Sequence, residues 1–115
     1  IPIFKKQFES YNPITVTGDG LQTRDFIYVG DIVEACFKTL VQPRLASLNM
    51  QIFNVASAEE TQILDIAESF GGEILHIDAR KEPKKSVADI SLITKTIDWK
   101  PSTNVLGWIK QIKNA

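Results

Sequence analysis

Short runs of β-branched and apolar residues alternate along this chain with stretches whose apolar residues recur every three or four positions. That alternation places the chain in the α/β class. Ile1, Phe4 and Phe8 share one face of a helix that stops before Asn12-Pro13. Ile14-Thr15-Val16-Thr17 reads as a strand closing on the tight turn Gly18-Asp19-Gly20, and Phe26–Val29 as a second strand. Asp31 is placed to cap a helix whose apolar stripe, Ile32, Val33, Cys36, Phe37 and Leu40, runs toward Pro43. Ile52–Val55 is apolar almost throughout, as a strand buried on both faces of a parallel sheet would be.

A further helix carries Ile63, Ile66, Ala67 and Phe70 and stops at Gly71-Gly72, where a positive φ is free of a Cβ penalty. Glu73–Ile77 follows as a fourth strand. Beyond the polar stretch Arg80–Lys85, Asp89 can cap a short helix through Ile97, and Val105, Leu106, Ile109 and Ile112 give one face of a last helix. The predicted order is α-β-β-α-β-α-β-α-α. No internal repeat or linker-like composition divides it, so residues 1–115 are read as a single unit.

Charge narrows the partners. Thirteen basic against fourteen acidic side chains leave a net charge of −1, which lacks the footprint of a nucleic-acid or anionic-membrane binder. The apolar runs are far shorter than a membrane span requires. A single cysteine, Cys36, excludes an intrachain disulfide, and with only His76 beside it no four-ligand zinc set can form. A reducing cytoplasm is the expected setting. The sequence starts at Ile1 with no signal-like segment, which reads as a chain trimmed at its start or part of a longer one.

Candidate chemistry is sparse. Gly18-Asp-Gly20-Leu-Gln-Thr23 carries two glycines of a dinucleotide fingerprint, but Thr23 stands where the third belongs and a strand, not a helix, is predicted next. Without a helix N-terminus there is no row of free N–H groups for a pyrophosphate. Cys36 lies on an apolar stripe and reads as a core residue, and His76 in a strand as a satisfied or surface one. Glu59-Glu60 sit at a loop-to-helix junction, where negative charge favours helix initiation. The run Arg80-Lys81-Glu82-Pro83-Lys84-Lys85 is by composition a solvated loop. Arg24 beside the glycine turn keeps a second reading open, because two separated arginines suit a diphosphate.

The string Pro13-Ile-Thr-Val-Thr-Gly-Asp-Gly-Leu-Gln-Thr-Arg-Asp-Phe-Ile-Tyr-Val-Gly-Asp-Ile32 closely resembles a segment of the NAD-dependent sugar-nucleotide epimerases and dehydratases, the extended short-chain dehydrogenase/reductase family. Phe53-Asn54-Val55-Ala56-Ser57, Ala88-Asp89-Ile90-Ser91 and Trp99-Lys100-Pro101 resemble its later landmarks. The resemblance implies the C-terminal, substrate-binding part of an extended Rossmann-type fold, with the N-terminal cofactor half absent. It also implies a nucleotide sugar, a UDP-sugar in particular, as ligand.

The family's glycine fingerprint and its Tyr-x-x-x-Lys pair have no counterpart, since Tyr11 is followed four residues on by Thr15 and Tyr28 by Ile32. The resemblance therefore implies no catalytic residue and no cofactor site in this chain; NAD belongs to the full-length family. It assigns nucleobase contacts to Thr15, Val16 and Thr17, diphosphate contacts to Arg24 and Arg80, and a ribose contact to Glu82. That last position sits in Arg80-Lys81-Glu82, where the family spacing has a glycine and one residue more. The rival expectation is an inactive binding or self-assembly module whose apolar faces, uncovered by a Rossmann half, drive association.

Overall fold

The computed structural model describes residues 1–43 and 51–115. Four helices and strands of the first half appear in order: α1 (Pro2–Glu9), β1 (Ile14–Thr17), β2 (Thr23–Arg24) and α2 (Val29–Leu40). They are followed by β3 (Thr61–Gln62), α3 (Ile63–Phe70), β4 (Ile74–Ile77), α4 (Ser91–Ile97) and α5 (Val105–Lys113). β1 pairs with β4 in parallel, Ile14 opposite Ile74 and Thr17 opposite Ile77, while β2 and β3 form a two-residue antiparallel pair.

Alternation along β1 decides which side is core. Ile14 and Val16 are buried and meet Ile66, Ala67 and Phe70 of α3 and Ile109 of α5, with Phe4 and Phe8 of α1 closing the cluster. A second cluster joins Ala35 of α2 to Ile93, Ile97 and Trp99, with Phe53 and Val55 packed against it. The described residues spread over 51 × 34 × 16 Å with a radius of gyration of 17.0 Å. A compact chain of this length would measure about 13 Å. Much of the surface that such elements normally cover is consequently open.

Among the described residues the order of helices and strands matches the sequence expectation, yet two strands are different segments. Phe26–Val29 is not a strand: the pairing falls earlier, at Thr23–Arg24, and Val29 already begins α2. Ile52–Val55 forms no strand either, because among the described residues nothing lies beside it to complete a ladder; β3 lies at Thr61–Gln62 instead. Asp31 is not a cap. The N-cap of α2 is Tyr28, and Asp31 is buried inside the first turn with its carboxylate turned toward Ser102 and Thr103.

The stripe of α2 faces the other way from the expectation. Val33, Phe37 and Leu40 are 62%, 62% and 69% exposed, Cys36 is exposed rather than core, and Ala35 occupies the buried side. α3 ends on Gly71 at φ 79°, as the sequence predicts. Asp89 is not the cap of α4: the N-cap is Ile90, and the Asp89 carboxylate, one residue further out, accepts the Ser91 N–H at 2.8 Å. Asn104 caps α5 through the N–H groups of Leu106 and Gly107.

Candidate functional site

Where β1 ends, the chain reverses through Gly18-Asp19-Gly20. Gly20 has a φ of 75°, and a Cβ there would stand 2.7 Å from Val16 Cγ1, so only glycine fits between β1 and α3. Asp19 closes the turn by accepting the Leu21 N–H at 2.9 Å. His76 Nδ1 lies 2.7 Å from the Gly18 carbonyl, which satisfies the histidine as expected and ties the turn to β4.

The chain then enters β2, which is gripped on both edges. One edge pairs with β3; on the other, the Thr23 N–H donates to the Lys84 carbonyl at 2.9 Å and Thr23 accepts the Ser86 N–H at 3.2 Å. This brings the loop 78–88 alongside the glycine turn. Between them lies a cavity of about 430 Å³ lined by Thr17, Asp19, Gln22, Arg80, Glu82 and Lys84. That volume is within the range of small-molecule sites, roughly 300–1,000 Å³.

Of the residues singled out from the sequence, Thr17, Arg80 and Glu82 meet at this cavity. Arg24 stands behind Glu82. Its Nη1 donates to the carbonyls of Thr23 and Pro83 at 2.7 and 2.8 Å, and its Nη2 to Glu82 Oε2 at 2.6 Å. Thr15 is not brought to the site, since Gln7 of α1 engages its hydroxyl at 2.9 Å and its N–H at 3.2 Å. Val16 is completely buried, main chain included, and is not brought to the cavity either.

Gln22 and Lys84 are among the cavity residues that were missed. Gln22 bridges the Thr17 carbonyl at 3.1 Å and Glu82 Oε1 at 3.2 Å, and it lies inside the very string that carried the resemblance. Lys84 was read only as part of a basic run. The Glu59-Glu60 pair does not initiate α3: Glu60 pairs with Lys85 at 2.5 Å, and Glu59 accepts from Asn104 at 3.0 Å.

Beneath the site, Asp25 accepts four hydrogen bonds, from the Ser57 N–H and hydroxyl at 2.7 and 2.5 Å, from Ala58 N–H at 3.0 Å and from Ala88 N–H at 3.2 Å. Desolvation pushes its pKa up, but these donors outweigh that and hold the carboxyl below its ordinary value. The same balance, with Ser102 and Thr103 as donors, holds Asp31 low. Among the described residues no cluster of three or more metal-ligating side chains occurs, and no helix is long and apolar enough to cross a membrane.

The glycine turn does not fit the pyrophosphate of a dinucleotide, because it runs into β2 and presents no helix N-terminus. The architecture is nevertheless part of an extended Rossmann-type short-chain dehydrogenase/reductase. The crystal structure of UDP-glucuronic acid 4-epimerase from Bacillus cereus in complex with UDP-glucuronic acid and NAD matches with a TM-score of 0.79 at 26% identity, over 96% of this chain and 39% of that one. Residues 1–56 match the model of the NAD dependent epimerase/dehydratase family. An uncharacterised UDP-glucose epimerase of Bacillus subtilis is 30% identical over 104 residues, 87% of this chain and 33% of that protein. The UDP-glucuronate 4-epimerase of Thermodesulfobacterium geofontis is 29% identical over 120 residues, 96% of this chain and 35% of that protein. The chain belongs to the NAD-dependent epimerase/dehydratase family and spans about a third of the length of the curated relatives it matches.

Proposed function

We propose that this chain is the C-terminal, nucleotide-sugar-binding portion of an NAD-dependent epimerase or dehydratase, and that the cavity beside the glycine turn receives the diphosphate of a UDP-sugar. The observation that carries the reading is that Arg80 and Lys84 line one small concave site at the end of β1, with Arg24 directly behind it and bonded to Glu82 of its lining. A diphosphate needs several charge-assisted donors, and a guanidinium supplies two in one plane. Thr17, which lines the same cavity, is the residue left to contact the base, and Val16, fully buried, supports the strand beneath it. Thr15 enters the proposal only if Gln7 releases it.

The chemistry of the parent reaction, which begins with hydride transfer from the sugar to NAD, is assigned to the part of the family fold that this chain does not span. Here the residues bind and orient; none abstracts a proton. A cytoplasmic setting goes with this reading. Calorimetric titration of UDP tests it: binding by wild type that Arg24→Ala weakens about tenfold supports the site, the factor expected for one charge-assisted contact. Equal affinities of the two proteins overturn it.

A second reading is favoured by α2. Its exposed Val33, Phe37 and Leu40 form an apolar face that another molecule would cover, so the chain also acts as an association module. Sedimentation of the pure chain decides this reading independently of UDP.

A further inference from the structure

We infer that Glu82 is a resident anion that competes with the ligand's phosphates for Arg24, and so determines how strongly the site selects for a diphosphate. The inference rests on the reading of the cavity as a diphosphate site, and it changes the role of Glu82 from a ribose contact to a competitor.

The geometry of the guanidinium points this way. Both contacts of Nη1 are main-chain carbonyls, those of Thr23 and Pro83, which no ligand is needed to satisfy. The Nη2 edge is the part left to an anion, and Glu82 covers it at 2.6 Å. The other carboxylate oxygen of Glu82 accepts from Gln22, a second cavity residue. Glu82 thereby makes at this site the pair of contacts that a phosphate oxygen pair would make.

The two partners differ in how firmly they are held. Arg24 belongs to β2, which is paired with β3 on one edge and bonded to residues 84–86 on the other. Glu82 lies in an irregular stretch and keeps 35% of its side chain exposed against 24% for Arg24. Exchange therefore moves the carboxylate and leaves the guanidinium in place. A diphosphate brings more charge and more oxygens than one carboxylate, whereas a neutral nucleoside brings nothing to displace it with. Arg80 and Lys84 line the same cavity and favour the incoming anion.

Inorganic pyrophosphate separates the two roles of Glu82 because it has no ribose. The 115-residue chain is titrated by calorimetry with pyrophosphate, uridine and UDP, as wild type, Glu82→Gln and Arg24→Ala, with circular dichroism confirming that each is folded. Competition makes Glu82→Gln bind pyrophosphate about fivefold tighter, the scale of one partly exposed ion pair, and leaves uridine unchanged. Glu82→Ala shifts pyrophosphate in the same direction. Unchanged or weaker pyrophosphate binding by Glu82→Gln, with Arg24→Ala still weakening UDP, overturns the competition and keeps the site. UDP binding that is absent, or equal in wild type and Arg24→Ala, overturns the site and the competition together.

Discussion

The carboxylate of Asp25 accepts both the N–H and the hydroxyl of Ser57, 32 residues further along the chain, at 2.7 and 2.5 Å. Through Ala88 it also holds the far end of the loop that carries Arg80 and Glu82. Asp25→Ala leaves four donors without their acceptor, and Ser57 is buried, so water restores them poorly. We expect a loss of about 3 kcal/mol, within the upper range for one broken buried network. Urea unfolding followed by circular dichroism measures it, and a loss below about 0.5 kcal/mol, the level of an ordinary surface change, contradicts this role.

Asp25 and Asp31 also fix the acid limb of stability. Burial raises each pKa, hydrogen bonding lowers it by more, and both folded values lie below the ordinary 3.8. A group depressed in the folded state stabilises fully above its unfolded pKa and loses that contribution as pH falls through the folded one. The urea midpoint should stay level down to about pH 5 and fall below about pH 4. Asp25→Asn and Asp31→Asn should each flatten that fall, and a wild-type midpoint that rises on acidification would contradict the assignment.

How far the sequence reached is visible in α2 and in residues 52–55. Periodicity located the helix and named its apolar residues correctly, because that signal is local. Which face would be covered was not local: Ala35 and Asp31 go inward because Trp99, Ser102 and Thr103, about seventy residues on, meet them there. The apolar character of Ile52–Val55 likewise declares a segment suited to a sheet, but a strand exists only with a neighbour to bond. At the site, Thr17, Arg80 and Glu82, singled out by the family resemblance, line one cavity, whereas Thr15 and Val16 do not reach it. The Arg24–Glu82 contact was beyond reach, since it depends on the loop 78–88 lying against β2.

The exposed stripe of α2 leads to a prediction about association. Phe37 is 62% exposed between Val33 and Leu40, a continuous apolar surface of the kind monomers seldom leave open. The chain should form dimers or larger species at about 100 μM, a concentration at which exposed apolar surface drives association. Phe37→Glu should shift the mass toward monomer without loss of helix, since the side chain contributes little to either core cluster. Light scattering that finds wild type strictly monomeric there removes the association reading.

Gly20 offers a test of the turn that shapes the cavity. Alanine would carry a Cβ into Val16 Cγ1 and within 3.0 Å of Leu64 Cβ, at a φ of 75° that L side chains disfavour. Gly20→Ala should destabilise by about 2–3 kcal/mol from overpacking and backbone strain together. Gly72, around which nothing lies within 4 Å of an added Cβ, serves as the control: only the φ penalty applies there. Thermal melts of the two variants should rank Gly20→Ala well below Gly72→Ala, and equal melting points would contradict the packing account.

The last prediction ranks the arginines. Arg24 is fixed by β2 and by two carbonyls on Nη1, so its fork loses little freedom when an anion arrives. Arg80 is exposed in the loop and must be ordered on binding. Removing a charge-assisted contact costs about 1.5–3 kcal/mol when the partner is desolvated and less when water replaces it. Arg24→Ala should therefore weaken UDP more than Arg80→Ala does. Arg24→Lys should recover only part of the loss, because an ammonium cannot reach Thr23, Pro83 and a phosphate in one plane as the guanidinium does. Titration of the three variants decides it: Arg80→Ala weakening UDP more than Arg24→Ala would move the diphosphate from the β2 edge to the open loop.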